Sequence, residues 1–159
     1  RICLVGSEMC IRDRVDNRWS RPDIKTTQLL PNVLAKTYAN EKNAYEGIFV
    51  DHEGYVTEGS SSNIWIINKN NEILTREIDG KILSGITRRT ISQFAKNNNF
   101  KMLEKKFTKD EMLNSREVFL TSASSFVTPI IEIDNIKIGN GIIGKTSIEL
   151  RNLYFNNFN

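Results

Sequence analysis

Lys25 closes the run Arg18-Trp19-Ser20-Arg21-Pro22-Asp23-Ile24-Lys25, at the mouth of an apolar stretch, with Thr26 and Thr27 directly after it. A lysine half-buried at such an entrance loses part of its hydration. Its pKa then falls, and the neutral amine becomes available for Schiff-base chemistry. The plainer reading is a lysine that snorkels at a helix entry. Thirty-three residues later, Glu58-Gly59-Ser60-Ser61-Ser62-Asn63 sets an acid at a strand end beside a small-residue loop. Alone, Glu58 reads as an exposed hairpin acid and the serines as turn formers. The amine and the acid together are harder to dismiss.

Two other patterns invite chemistry. Gly139-Asn140-Gly141-Ile142-Ile143-Gly144-Lys145-Thr146 satisfies G-x-x-x-x-G-K-[ST] between an expected strand and an expected helix. It defines a second reading, a P-loop nucleotide-binding protein. Only thirteen residues follow Thr146, room for one helix and for no later strand bearing a magnesium-binding aspartate. The glycines are therefore read as shaping a turn before the last helix. A serine hydrolase on Ser60 to Ser62 lacks a partner: His52 is the only histidine and sits in a hairpin turn on the other side of Glu58. There is no G-x-S-x-G elbow either.

The elements that must position these residues follow from periodicity. Pro22 fixes its own φ and biases Arg21 towards an extended conformation. A helix is expected from Thr26 to about Asn43, with Leu29, Leu30, Val33, Leu34 and Tyr38 inward and Pro31 in its first turn. Strands are expected at Tyr45–Val50 and Tyr55–Glu58 around a tight turn, then at Ile64–Ile67 and Ile73–Thr75. A helix over about Arg88–Asn98, a strand over Lys101–Phe107 and a short helix at Lys109–Leu113, capped by Thr108, come next. Glu117–Leu120, a hairpin of Val127–Ile133 with Asn135–Ile138, and a helix over about Thr146–Phe155 complete the chain. Strand groups mixed with separate helices predict an α+β (mixed α/β) fold, a mixed sheet with flanking helices.

The chain has 159 residues, 39% hydrophobic and 26% charged, with a net charge of +3. That is enough for one domain burying about 68–70% of its unfolded surface. Charges are interspersed, so nothing points to nucleic acid or an anionic membrane. Runs such as Ile64-Trp65-Ile66-Ile67 are too short to span a bilayer, and no secretory signal is recognisable. The two cysteines, Cys3 and Cys10, exclude a disulfide scaffold or a cysteine-rich metal site and suit a reducing cytoplasm. The chain opens on Arg1, and Ser7-Glu8-Met9-Cys10-Ile11-Arg12-Asp13-Arg14 looks like a translated sequencing adapter. Residues 1–15 are accordingly expected to be a non-native leader, and function is read from Asp16 onward.

From Arg18 to its end the chain resembles the fold type IV (class IV) pyridoxal-phosphate aminotransferases. The resemblance is greatest to the D-amino-acid aminotransferases, through Asp23-Ile24-Lys25-Thr26 followed by Leu-Leu and Asn-Val-Leu-Ala. It implies that residues 16–159 are the C-terminal pyridoxal-phosphate-binding domain, with the N-terminal domain missing. Lys25 would hold the cofactor covalently and, once displaced, act as general base and acid between Cα and C4′. Glu58 would pair with the pyridine nitrogen. Leu83-Ser84-Gly85-Ile86-Thr87 would cradle the phosphate: Leu83 packs on the ring, Gly85 permits close approach, Ile86 and Thr87 offer backbone N–H groups, and the Thr87 hydroxyl adds a donor.

Ser122, Ala123 and Ser124 match the family's second phosphate loop, with Ala123 where relatives often carry threonine. Arg18 would lie behind Glu58 or, equally, be an exposed arginine at a strand end. No metal is implied. The implied reaction is amino transfer between an amino acid, D-alanine or another D-amino acid, and a 2-oxo acid such as 2-oxoglutarate. Branched-chain aminotransferases and aminodeoxychorismate lyases share the fold and remain open. The full-length family members are usually cytoplasmic homodimers; the present chain alone is expected to bind pyridoxal phosphate weakly and to turn over poorly.

Overall fold

The protein is described here by a computed structural model over residues 10–157. The chain passes through β1 (Cys10–Val15), α1 (Leu30–Glu41), β2 (Glu46–Val50), β3 (Val56–Gly59), β4 (Asn63–Ile67), β5 (Ile73–Thr75) and α2 (Ile86–Asn97). It continues through β6 (Met102–Glu104), α3 (Lys109–Leu113), β7 (Glu117–Ser122), β8 (Phe126–Ile130), β9 (Glu132–Ile133), β10 (Ile136–Lys137) and α4 (Lys145–Asn156). Residues 1–9, part of the expected leader, lie outside the described residues; residues 10–15 form β1.

The fold is mixed α/β, as expected, but its strands make two mixed sheets. One has the order β10-β9-β1-β2-β3 and the other β6-β5-β4-β7-β8. Every residue of β4 is buried, and strand alternation explains why. Ile64 and Ile66 face a core shared by the two sheets, with Ile11, Ile48, Val56, Leu120 and Ile133. Trp65 and Ile67 face a second core, capped by Ile91 and Ala95 of α2 and Leu150 of α4. Covered on both faces, β4 reads as a continuous apolar run.

Several boundaries differ from those expected. Helix α1 begins at Leu30, with Pro31 in the first turn, where its missing N–H leaves no hydrogen bond unmade. Thr26 to Leu29 are held in turns instead: Gln28 N–H donates to Thr26 Oγ1 at 2.9 Å and Leu29 N–H to Thr27 O at 3.0 Å. The expected inner face of α1 is also wrong. Ala35 and Ala39 are its buried residues, whereas Leu30 and Val33 are 66% and 57% exposed. Close approach decides this, since a Cβ at Gly47 would lie 3.1 Å from Ala35 O. The helix therefore packs Ala35 against the bare glycine of β2.

The strand expected over Lys101–Phe107 shortens to β6, which pairs parallel with β5. The expected hairpin after Val127 divides: β8 pairs with β7, while β9 and β10 pair with each other in the other sheet. Asp134 and Asn135, at φ of 52° and 64°, form the two-residue turn between them, both in the left-handed region that such hairpins require. Thr108 does cap α3, in a capping box with Glu111.

Candidate active site

Strand β3 lies at the edge of one sheet and β4 at the centre of the other, so residues 60–62 cross between them. Glu58 and Asn63 face each other at the neck of that turn, with Asn63 Nδ2 donating to Glu58 Oε2 at 3.2 Å. Leu83 is pinned to both. Its N–H donates to Glu58 Oε2 at 3.0 Å, and its carbonyl accepts from Asn63 Nδ2 at 2.8 Å. Glu58 is not an exposed hairpin acid: it is 8% exposed. Burial pushes its carboxyl up to about 7, against the opposing pull of the Arg18 guanidinium and the Leu83 N–H.

Arg18 lies directly against Glu58. Its Nη1 donates to Glu58 Oε1, its Nε and Nη2 to Asp16 at 2.8 and 2.7 Å, and Nη2 also to Thr57 Oγ1 and Lys81 O. The guanidinium stacks over Phe49, 4.8 Å from the ring centre. Burial works against ionisation of Asp16, yet the Arg18 side chain and the Thr57 hydroxyl hold it below its ordinary value.

Lys25 sits in the loop between Arg18 and α1, and its side chain is exposed, not half-buried. Both ends of that loop are tied to the β3–β4 crossing. Seven residues before Lys25, Arg18 binds Glu58; seven residues after it, Asn32 Nδ2 donates to Ser60 O at 2.9 Å. The amine-bearing loop is thus anchored at both ends to the segment that carries the buried acid.

The two expected phosphate loops also meet. Asn63 pairs with Thr121 in register, which brings the end of β7 beside the neck of the Glu58 turn. Thr87 Oγ1 donates to Ser122 O at 3.0 Å. The hydroxyl expected as a phosphate donor therefore has its proton engaged within the protein, and the backbone N–H groups of Ile86 and Thr87 are left for that task. Gly85 is the N-cap of α2, without a side-chain cap, and a Cβ there would lie 2.5 Å from Asn63 Oδ1. An uncapped helix start behind a glycine suits an anion. Ser122 Oγ lies 3.3 Å from Ser124 Oγ and 2.7 Å from Ser125 Oγ, while Ala123 and Ser124 are exposed.

Residues that the sequence did not single out hold this arrangement. Arg151 of α4 donates to the carbonyls of Ser125 and Val127. Between them Phe126 stands at φ 60°, packed on Tyr154 and Phe155. Glu46 gathers the Ser60–Ser62 turn; an acid in the apolar strand Glu46-Gly47-Ile48-Phe49-Val50 was its one sequence signal. A cavity of about 350 Å³ lies along α2 and β6, between Ile78, Arg88, Ser92, Lys96 and Glu104, and none of the candidate residues lines it.

The P-loop reading fails on geometry. Glu117 occupies the N-terminus of α4, accepting from Thr146 N–H at 3.1 Å and from Ser147 N–H and Oγ at 2.9 and 3.0 Å. A Cβ at Gly144 would collide with the same side chain. The place where a P-loop holds phosphate is filled by the protein's own carboxylate.

The family model described as amino-transferase class IV matches residues 7–133. The chain belongs to the class IV aminotransferases. That match begins inside the stretch expected to be a leader. Among class IV relatives, the chain is 45% identical over 129 residues to the D-alanine aminotransferase of Bacillus licheniformis, covering 81% of this chain and 45% of that one. It is 45% identical over 137 residues to the D-alanine aminotransferase of Staphylococcus aureus (strain N315), covering 86% and 48%.

The chain spans about half the length of the curated relatives it matches. Its structure resembles the branched-chain amino acid aminotransferase from Thermobaculum terrenum in its PLP-form. There the TM-score is 0.82 and the identity 26%, covering 92% of this chain and 49% of that one. No helix among the described residues is long and apolar enough to cross a membrane.

Proposed function

We propose that this chain is the coenzyme-binding portion of an aminotransferase that moves an amino group from D-alanine, or another D-amino acid, to a 2-oxo acid such as 2-oxoglutarate. The single observation that carries the reading is the tethering of the Lys25 loop to the buried Glu58 turn through Arg18 and Asn32. The residues present fit pyridoxal phosphate. A buried acid stands at one end of the arrangement, and at the other an uncapped helix start behind Gly85 is joined to the Ser122 loop by the Thr87 hydroxyl, which donates to Ser122 O.

Bound there, pyridoxal phosphate supplies an aldehyde that combines with amines and a ring that takes up the electron pair left when a Cα–H bond breaks. Lys25 Nζ is the amine that anchors the coenzyme and, when free, the base that takes the proton from the substrate Cα. Glu58 would hold a proton at the pyridine nitrogen, a task suited to a carboxyl whose burial brings it to about 7. Arg18 fixes the orientation of Glu58 and balances its charge. The N–H groups of Ile86 and Thr87, with the Ser122 and Ser124 hydroxyls and the Ala123 N–H, would hold the phosphate, and Leu83 would pack on the ring.

The D-alanine reading is supported by 45% identity to D-alanine aminotransferases. The branched-chain reading is supported by structural likeness at 26% identity. A single-turnover assay on the coenzyme-loaded full-length protein separates them. Pyruvate released from D-alanine in proportion to bound coenzyme is the expected product. A branched-chain 2-oxo acid from L-leucine, with no pyruvate, would favour the second reading. We further propose that the full-length protein is a cytoplasmic homodimer, to be tested by its mass in solution.

A further inference from the structure

Glu46 is 1% exposed, and one of its oxygens serves a whole turn. Oε1 accepts from Ser61 N–H at 2.6 Å, Ser62 Oγ at 2.9 Å, Ser61 Oγ at 3.2 Å and Ser60 Oγ at 3.3 Å. A carboxyl taken out of water needs such donors, and a carboxylate oxygen draws them more strongly than a neutral acceptor does. The turn closes on itself as well: Gly59 N–H donates to Ser62 O at 2.7 Å and Ser60 N–H to Gly47 O at 2.9 Å. Gly59 leaves room for the acid, since a Cβ there would lie 2.3 Å from Ser62 Oγ and 2.6 Å from Glu46 Oε1.

The three serines occupy every position between Gly59 and Asn63. Glu46 therefore grips the tip of a loop whose neck is the Glu58–Asn63 hydrogen bond. Asn32, from the helix that follows the Lys25 loop, grips the same tip at Ser60 O.

We propose that Glu46 is the positioning residue of the site: by holding Ser60, Ser61 and Ser62 on one oxygen it sets where Glu58 and Asn63 stand relative to the coenzyme ring and to the Lys25 loop. The proposal rests on the functional reading above. Glu46 touches no reacting atom; it acts through the turn.

Glu46→Ala, Glu46→Gln and Glu58→Gln test it. In coenzyme-free protein, Glu46→Ala is expected to raise amide hydrogen exchange at residues 59–63 at least tenfold while β7 and β8 stay protected. Its affinity for pyridoxal phosphate is expected to fall about tenfold. Glu46→Gln, which keeps an acceptor oxygen in place, is expected to stay within about threefold of the parent. In a Glu58→Gln background most of the Glu46→Ala affinity penalty is expected to vanish, because the group being positioned is already altered.

Unchanged exchange at 59–63, or a penalty of equal size in both backgrounds, would overturn the proposal and leave Glu46 a general stabiliser. A parent chain that takes up no pyridoxal phosphate would instead overturn the functional reading. The exchange measurement would then still decide whether Glu46 holds the turn.

Discussion

Arg18 and Glu58 form an ion pair in which the two side chains are only 3% and 10% exposed. Breaking such a pair from one side leaves a buried carboxyl without its partner, which costs more than the intact pair contributes. Arg18→Met also strips Asp16 of two hydrogen bonds. It is expected to destabilise the chain by about 3–5 kcal/mol, read from urea unfolding. The loss is expected to shrink in a Glu58→Gln background; an Arg18→Met variant as stable as the parent would refute the pairing.

Glu58 also gives stability a pH dependence whose sign is fixed. The folded state keeps its proton to about pH 7, whereas the unfolded chain releases it at the ordinary value of 4.5. Between those values the folded state binds more protons, so stability falls as pH rises through the window, by up to about 3 kcal/mol, and levels off above it. Glu58→Gln is expected to flatten this slope. Asp16, held below its ordinary value of 3.8, acts with the opposite sign and only in more acid solution: the stability it contributes is lost as pH drops through its folded value. Urea midpoints from pH 4.5 to 8 in parent and variant test the Glu58 effect.

Gly85→Ala tests the coupling between the ring end and the phosphate end. The backbone at Gly85, with φ −61°, accepts alanine without strain, so the effect comes from the 2.5 Å approach of the new Cβ to Asn63 Oδ1. Asn63 is held by Glu58 and Leu83 O and cannot yield without disturbing them. Pyridoxal phosphate affinity is expected to fall about tenfold, or about 1.4 kcal/mol, in an equilibrium titration.

The helix α4 start offers a control. Glu117→Ala removes the acceptor for Thr146 N–H and Ser147 N–H and is expected to cost about 1–2 kcal/mol. Lys145→Ala, at an exposed position, is expected to change stability by less than about 0.5 kcal/mol. Neither variant is expected to alter pyridoxal phosphate uptake, and binding of ATP that depends on Lys145 would contradict the plugged geometry.

What the sequence revealed and what it hid separate along one physical line. Glu58, Leu83, Gly85, Thr87 and Ser122 could be proposed from the sequence because each sits in a short contiguous motif, and the structure brings these segments together. Glu46, Asn32 and Asp16 act across 14, 28 and 41 residues of chain, and only strand register and helix packing create such contacts. The face of α1 was misread for a related reason. Leu29, Leu30, Val33 and Leu34 carry the hydrophobic signal, but Gly47 on β2 lets Ala35 approach more closely than any leucine could. The Gly139–Thr146 pattern misled because a motif records spacing, and Glu117, which fills its helix start, comes from a distant strand.

The claim that Lys25 is the coenzyme's anchor is tested most directly by incubating the chain with pyridoxal phosphate, reducing with borohydride and mapping the modified peptide. At saturating pyridoxal phosphate the expected result is labelling concentrated at Lys25, lost in Lys25→Ala and weakened in Gly85→Ala. Labelling spread over exposed lysines such as Lys81 and Lys145, unchanged in Lys25→Ala, would contradict it.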